Sequence, residues 1–149
     1  ATVASAAYSA SIEALHPGAL VVEQACPAFV PLIEAGDCSS DELRQVAKLY
    51  LDPLLAASVE TIVLGCTHYP LLIPLLKQVL PDAIQLIDPA LGVARQLDAV
   101  LGVPRSTPCD TLELGQCRFC VTADPDGFAN RATPWLGARP EVHLQRLQS

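Results

Sequence analysis

The chain has 149 residues, of which 51% are hydrophobic, and it carries a formal net charge of −7 at pH 7. This length is sufficient for one domain with a sizeable core. The acidic balance argues against nucleic acid as an electrostatic partner. No apolar run reaches the roughly 18 residues of a membrane span, because Pro, Glu and Asp interrupt all of them.

The first residues of the sequence are not expected to be a natural start or a signal peptide. There is no methionine anywhere, so we expect the chain to be processed or incomplete. Residues 1–3 have neither the basic stretch nor the apolar stretch of a secretory signal. The high apolar content is explained either by helices packed on both faces of a parallel sheet or by a surface that meets further residues.

Helical and strand patterns alternate along the chain. The predicted elements are, in order, a helix over 2–15, a strand over 19–22, a helix over 28–35, a helix over 39–54, a strand over 61–64, a helix over 71–80, a strand over 83–87, a helix over 89–101, a connector over 102–116, a strand over 118–122, a helix over 128–136 and a strand over 142–147. This alternation predicts an α/β fold with a mostly parallel sheet and helices on both faces.

Capping residues mark several helix ends. Ser39 and Glu42 form a capping box before one helix. Asp88 caps a later helix, with proline next to it at the first helical position. Gly36 is placed to close the helix over 28–35.

The central motif is the heptapeptide Leu64–Pro70, which joins a buried strand to an apolar helix. It delivers Cys66 and His68 to the carboxyl end of the strand, where open α/β sheets bind ligands. A thiolate, which a helix start or a nearby cation favours, acts as a nucleophile or a base. Thr67 offers a hydroxyl and a backbone N–H to an anionic ligand at the same helix start. The alternative is that Cys66 is a small buried hydrophobe that ends a strand.

Two carboxylates also come near predicted strand or helix ends. Glu34 lies in the last turn of the helix over 28–35, where its simplest role is a solvated charge. Glu23 follows the strand over 19–22 and is a weaker candidate, more simply structural.

The six cysteines are expected to be reduced thiols. They stand at positions 26, 38, 66, 109, 117 and 120, in a regular α/β pattern without a secretory segment. Cys117 and Cys120 form a lone CxxC without a second pair, and residues three apart on a strand face opposite sides. We therefore expect no metal site.

Three segments of the chain resemble glutamate racemases, which belong to the aspartate/glutamate racemase superfamily. TIVLGCTHYPLLIPLL at 61–76 closely resembles the family's second-cysteine motif. VVEQACPAFVPLIEAG at 21–36 and RFCVTADPDGFANRATPWLG at 118–137 are similar to flanking segments of the same enzymes. The family's first half, with its first cysteine, has no counterpart. The resemblance implies that residues 1–101 are the second racemase domain and that 102–149 are a connector and tail that pack on an absent first domain.

The resemblance also implies the reaction: cofactor-independent racemisation of L-glutamate to D-glutamate, which supplies peptidoglycan synthesis, by two cysteines that face each other across the α-carbon. Cys66 is then one of the pair, His68 its helper, and Glu34 a support on the same side. Thr67 and His68 would line the substrate. Thr2 matches a substrate-contacting threonine, and its alternative role is a helix N-cap. A cytoplasmic enzyme without a cofactor is expected, and a homo-oligomer is compatible with it.

Three other functions stay open from the sequence. One is another amino-acid or hydantoin racemase of the superfamily. A second is a cysteine hydrolase or phosphatase that uses Cys66 and His68, although a CX5R phosphatase would need arginine where Leu72 stands. The third is a non-enzymatic binding or interaction module. If the racemase interpretation holds, the chain contains half of the catalytic site and is inactive alone.

Overall fold

The structure is a computed structural model that describes residues 2–102 and 114–147. The chain divides into two compact units, one that ends at Gly102 and one that follows it. The described α-helices are α1 (Ala7–Leu15), α2 (Phe29–Glu34), α3 (Asp41–Ala56), α4 (Ile73–Val79), α5 (Pro89–Leu101) and α6 (Pro125–Leu136). The described strands are β1 (Thr61–Val63), β2 (Gln85–Ile87), β3 (Phe119–Val121) and β4 (Val142–Leu144), and short 3-10 helices lie at Val3–Ser5, Tyr69–Leu72 and Leu114–Gln116.

Each unit contains a pair of parallel strands. In the first unit β1 pairs with β2, so that Thr61 lies opposite Gln85 and Val63 opposite Ile87. In the second unit β3 pairs with β4 in the same sense. The chain between the strands of each pair contains a helix, α4 in the first case and α6 in the second. The predicted α/β class with parallel strands is therefore confirmed.

The core of the first unit lies between α2, α3 and α4. Apolar residues of α3 recur at helical spacing and form one buried stripe. The buried side chains are Phe29, Ile33, Leu43, Ala47, Leu51, Leu54, Leu64, Leu72, Leu75, Leu76 and Leu80. The ring of Phe29 packs edge-on against Tyr50 and Tyr69, with centroids 5.3 and 5.4 Å apart. This core supports the sheet because Ile62 and Leu86 pack against it.

Two strand predictions need correction. The strand over 61–64 was expected to be buried on both faces, but Val63 and its neighbour Ile87 are each 38% exposed. Only the face that carries Ile62 meets the helical core. The strand predicted over 19–22 does not form. Residues 21–22 and β1 both line one cavity, and the segment lacks the ladder hydrogen bonds to a described strand that define a strand.

The helix predicted over 2–15 is divided in two. A 3-10 helix covers Val3–Ser5, and α1 begins only at Ala7. Between them Ala6 has φ +51°, a left-handed conformation that interrupts a regular helix. The predicted stop is confirmed, because α1 ends at Leu15 and the His16 N–H donates to the Ile12 carbonyl oxygen.

The N-cap of α3 lies one residue later than predicted. The Ser40 hydroxyl oxygen, not that of Ser39, accepts the Leu43 N–H at 3.0 Å. The Asp37 carboxylate accepts both serine N–H groups and the Ser40 hydroxyl, and this network places Ser40 at the cap. The hydrogen bonds from Ser40 lower the pKa of the Asp37 carboxyl. This contribution is present at neutral pH and is lost as the pH falls through that lowered pKa.

Replacing the two serines separately tests this cap. We expect Ser40→Ala to lower the free energy of unfolding by about 1 kcal/mol, since the N-cap acceptor is lost. Ser39→Ala keeps the backbone N–H that Asp37 uses, so its effect is expected to stay within about 0.5 kcal/mol. Urea unfolding of both variants measures the difference. A larger loss of unfolding free energy in Ser39→Ala than in Ser40→Ala would mean that Ser39 is the N-cap.

The remaining helix boundaries agree closely with the sequence. Asp88 caps α5 through the Ala90 N–H at 2.9 Å, and Gly102 follows the helix with φ +60°. The α6 helix starts three residues earlier than predicted, where the Asp124 side chain accepts the Gly127 N–H.

The α5 helix exposes its large aliphatic residues Leu91, Val93, Leu97, Val100 and Leu101.

The predictions about cysteines and the connector are only partly within the described chain. Cys26, Cys38, Cys66, Cys117 and Cys120 are free thiols, whereas Cys109 and most of the connector lie outside the described residues. Across residues 2–102 and 114–147, no group of three His, Cys, Asp or Glu side chains is arranged to hold a metal ion. Within the same ranges no helix combines the length and the apolarity needed to cross a bilayer.

Candidate functional site

The candidate site begins where β1 ends. The Leu64 N–H donates to the Ile87 carbonyl oxygen at 2.9 Å, the last bond before the chain leaves the sheet. Gly65 and Cys66 follow, and the Tyr69 N–H donates back to the Cys66 carbonyl oxygen at 3.1 Å. The apolar stripe after His68 forms a 3-10 helix and then α4. The cysteine therefore lies in a hydrogen-bonded turn at the carboxyl end of the strand, as predicted.

Three candidate residues form a continuous series of contacts. His68 Nε2 lies 2.7 Å from Glu34 Oε1, and its Nδ1 lies 4.0 Å from Cys66 Sγ. The His68 side chain is 32% exposed and that of Glu34 is 47% exposed. The imidazole thus lies between the thiol and the carboxylate, and the His68 and Glu34 side chains are both partly exposed to solvent.

The end of α2 fixes the position of Glu34, the last residue of that helix. The Gly36 N–H donates to the Ile33 carbonyl oxygen and the Asp37 N–H donates to that of Leu32, both at 2.9 Å. Gly36 has φ +85°. Together these bonds form a Schellman motif, for which glycine is the favoured residue because it has no Cβ to strain a left-handed backbone. The predicted role of Gly36 is confirmed.

This arrangement determines what the imidazole can do. A carboxylate accepts hydrogen bonds, so Glu34 favours the tautomer of His68 that carries a proton on Nε2. The Nδ1 lone pair then faces the Cys66 thiol and can accept its proton. Glu34 also stabilises the imidazolium that results. A thiol, an imidazole and a carboxylate in contact are the groups from which a cysteine base or nucleophile can be built.

Cys66 is half-buried and reaches a cavity of about 930 Å³ in the first unit. The cavity wall is mostly apolar, and it includes Thr2 and Cys66. Thr67, His68 and Glu34 are absent from that wall, although all three are among the described residues. The structure thus brings Cys66, His68 and Glu34 together and places Thr2 on the cavity wall with Cys66 but without His68 or Glu34. Thr67 is exposed.

The second cysteine on the cavity wall is Cys26, and burial raises the pKa of its thiol to about 11. Its backbone carbonyl oxygen accepts the Tyr69 hydroxyl at 3.2 Å. Burial also raises the pKa of Tyr69 to about 12, with the nearby thiols of Cys26 and Cys66 as further causes. These raised pKa values keep the Cys26 thiol and the Tyr69 hydroxyl protonated at neutral pH.

Sequence reasoning missed Tyr8, which contacts the backbone next to Cys66, and Ser9, which binds Glu23. The ring of Tyr8 lies on the backbone of Gly65, immediately before Cys66. Ser9 donates to the Glu23 carboxylate and connects α1 to the segment before α2. Both contacts join residues far apart in the sequence, and the small-residue pattern of residues 2–15 gives no signal for either.

The Thr2 side chain does not cap the first 3-10 helix, since it makes no capping hydrogen bond there. Its carbonyl oxygen instead accepts from the N–H and the hydroxyl of Ser5. The alternative role as a side-chain N-cap was therefore wrong, and a substrate role stays a prediction.

Two of the proteins to which this chain is similar are named glutamate racemase. The glutamate racemase of Synechococcus sp. (strain CC9605) is 72% identical over 149 residues, which is 99% of this chain and 56% of that protein. The glutamate racemase of Gloeobacter violaceus is 45% identical over 99% of this chain and 54% of its own length. The chain spans about half the length of these relatives. No protein-family profile matches the chain.

A solved structure agrees with the sequence relatives. The crystal structure of glutamate racemase from Francisella tularensis in complex with D-glutamate superposes with a TM-score of 0.80 at 29% identity. The superposition covers 99% of this chain and 54% of that one. The fold is therefore that of about half of a glutamate racemase.

Proposed function

Because the chain is homologous to glutamate racemases over nearly its whole length, we propose that it is the C-terminal part of an enzyme that interconverts L- and D-glutamate without a cofactor. Residues 1–101 are then the second racemase domain. Residues 102–149 are the connector and the tail that pack on the first domain. The single observation that carries the proposal is the contact series Cys66–His68–Glu34 at the carboxyl end of β1.

In the proposed reaction Cys66 acts on one face of the α-carbon. His68 Nδ1 takes the thiol proton, and the resulting thiolate removes the α-proton, so that an S–H bond forms while the C–H electron pair stays on carbon. A second cysteine, supplied by the first domain, donates its proton to the opposite face. Each acid–base group of this kind contributes roughly 10²–10⁴-fold to the rate. Glu34 orients His68 and offsets its positive charge.

The first-domain cysteine is needed because one base tends to return the proton to the face it left. Cys26 shares the cavity with Cys66, but its raised pKa keeps it from acting as a thiolate at neutral pH. Thr67 and His68 bind the substrate in this proposal, and Thr2 contacts it from the cavity wall. Backbone N–H donors stabilise the developing carbanion.

The proposed product, D-glutamate, serves peptidoglycan synthesis and therefore cell-wall biogenesis and cell shape. We place the enzyme in the cytoplasm, where amino-acid substrates and reduced thiols are available. Nothing in the proposed mechanism requires a metal, a nucleic acid or a membrane, and a homo-oligomer is compatible with it.

An assay of two polypeptides tests the proposal. The 149-residue chain is expected to leave L-glutamate unchanged, whereas the polypeptide translated together with its upstream coding sequence is expected to racemise it. Circular dichroism of glutamate follows the reaction directly. If the 149-residue chain racemises glutamate and Cys66→Ala abolishes that activity, the chain does not contain only half of the catalytic site. An inactive longer polypeptide would overturn the racemase assignment.

A cysteine hydrolase is the second candidate, because a thiol, an imidazole and a carboxylate in series also form a nucleophilic triad. The two functions differ in the covalent chemistry of Cys66. A hydrolase forms an acyl-enzyme on the sulfur, and mass spectrometry after incubation with activated esters detects it. If the racemase proposal is correct, Cys66 forms no acyl-enzyme intermediate that is then hydrolysed.

A further inference from the structure

Helix α1 contacts the backbone that carries the candidate base. A Cβ atom built on Gly65 would lie 3.1 Å from Tyr8 Cε2 and 3.4 Å from Tyr8 Cζ. The aromatic ring therefore lies directly on Gly65, in a gap that no larger residue at this position fits without a shift. Because Gly65 precedes Cys66, the position of the Tyr8 ring limits the paths that the backbone can take into the turn.

The start of α1 is held by a carboxylate from another segment. Glu23 Oε1 accepts the Ser9 N–H at 3.1 Å and the Ser9 hydroxyl at 2.5 Å. Ser9 is the third residue of α1, and its N–H is among those that a helix start leaves unsatisfied. The N-cap residue Ala6 provides no side-chain acceptor. Glu23 supplies that acceptor from 14 residues away.

We propose that Glu23 is a positioning residue: by holding the start of α1 through Ser9, it keeps the Tyr8 ring on Gly65 and so fixes the orientation of Cys66. Tyr8, Glu23, Gly65 and Cys66 all lie on the wall of the same cavity. A carboxylate on a largely apolar wall is costly unless it is hydrogen-bonded. The Ser9 contacts give Oε1 of Glu23 two hydrogen bonds and connect it to the helix that carries Tyr8. Only the catalytic consequence of this inference rests on the proposed function.

Alkylation of Cys66 measures the orientation without requiring racemase activity. In Glu23→Ala of the 149-residue chain, we expect iodoacetamide to label Cys66 at least about threefold faster, because local opening of the turn exposes the thiol. Peptide mass spectrometry assigns the label to each cysteine. The exposed Cys120 is the internal reference, and its labelling rate is expected to stay unchanged.

Two variants separate positioning from a general loss of charge. Glu23→Gln keeps an oxygen acceptor of the same reach, so it is expected to restore the labelling rate of the parent chain. Glu13→Ala is the matched control, since this carboxylate also lies on α1 but accepts the Gly18 N–H at the far end of the helix. In Glu13→Ala, the labelling rate of Cys66 is expected to equal that of the parent chain.

An unchanged Cys66 rate in a folded Glu23→Ala chain, as judged by far-ultraviolet circular dichroism, would overturn the proposal. If that variant does not fold, Ser9→Ala decides, because it removes the hydroxyl and keeps the backbone N–H. In Ser9→Ala, an acceleration of Cys66 labelling supports the proposal even if it is smaller than threefold. An unchanged Cys66 labelling rate in that variant overturns it. Tyr8→Leu is expected to accelerate labelling as well, since the ring on Gly65 is lost.

In the longer polypeptide we expect Glu23→Ala to lower kcat about tenfold with little change in KM, because a misplaced base affects the chemical step more than binding. Glu23→Gln is expected to restore kcat. Faster labelling in a polypeptide that does not racemise glutamate would leave the positioning role intact and refute the proposed function. Unchanged labelling and unchanged kcat would refute the positioning role alone.

Discussion

Replacing Cys66 with alanine is expected to abolish glutamate racemisation by the longer polypeptide. Among the described residues, the variant loses the thiol that lies next to His68, so in the proposed reaction the α-proton on one face has no acceptor. We expect kcat to fall by at least roughly 10²–10⁴-fold, the range attributed to a general acid–base group. Circular dichroism of glutamate in both directions, from L and from D, measures the loss.

Cys120→Ala provides the matched control for this experiment. Cys120 is an exposed thiol on β3, in the second unit, and the proposed mechanism does not use it. Its kcat is therefore expected to equal that of the parent. If a folded Cys66→Ala polypeptide racemises glutamate at a rate within tenfold of the parent rate, Cys66 is not a catalytic residue of this reaction.

Leu43→Ala is expected to have the largest effect on stability. Leu43 is fully buried at the start of α3, so alanine leaves a cavity between the helices that carry the site. Truncations of this kind cost about 2–5 kcal/mol. The backbone N–H that Ser40 caps is retained, which confines the change to packing. The urea midpoint of the 149-residue chain reports the loss.

Leu49 is the control on the same helix, because its side chain is 67% exposed. Leucine and alanine have similar helix propensities, so Leu49→Ala is expected to change the free energy of unfolding by less than about 0.5 kcal/mol. Equal losses at positions 43 and 49 would mean that the core does not lie where the structure places it.

Local patterns predicted the parts of the fold that depend on neighbouring residues. The strand before Cys66, the cap at Asp88 and the glycine after α2 each rest on interactions within a few positions, and the structure has them. The cap of α3 was misplaced by one residue because Asp37 binds both serine N–H groups, a choice that the capping-box spacing alone does not reveal.

Features that depend on distant residues were harder to predict. The segment 19–22 has the composition of a strand but pairs with no strand among the described residues, and composition does not report pairing. The approach of Glu34 to His68 was anticipated from the family resemblance and not from spacing, since 34 residues separate them. The contacts of Tyr8 with Gly65 and of Ser9 with Glu23 carry no sequence signal, because neither residue pair belongs to one helix or strand.

The same separation of Glu34 and His68 has a consequence for folding. Each side chain lies on a short local structure, but their contact requires a large loop to close, and closure has an entropic cost that local helices do not bear. Under the proposed mechanism, any chemistry that depends on this pair requires the folded tertiary structure. A nascent or partly unfolded chain therefore carries Cys66 without the contact between His68 and Glu34 that the folded chain has.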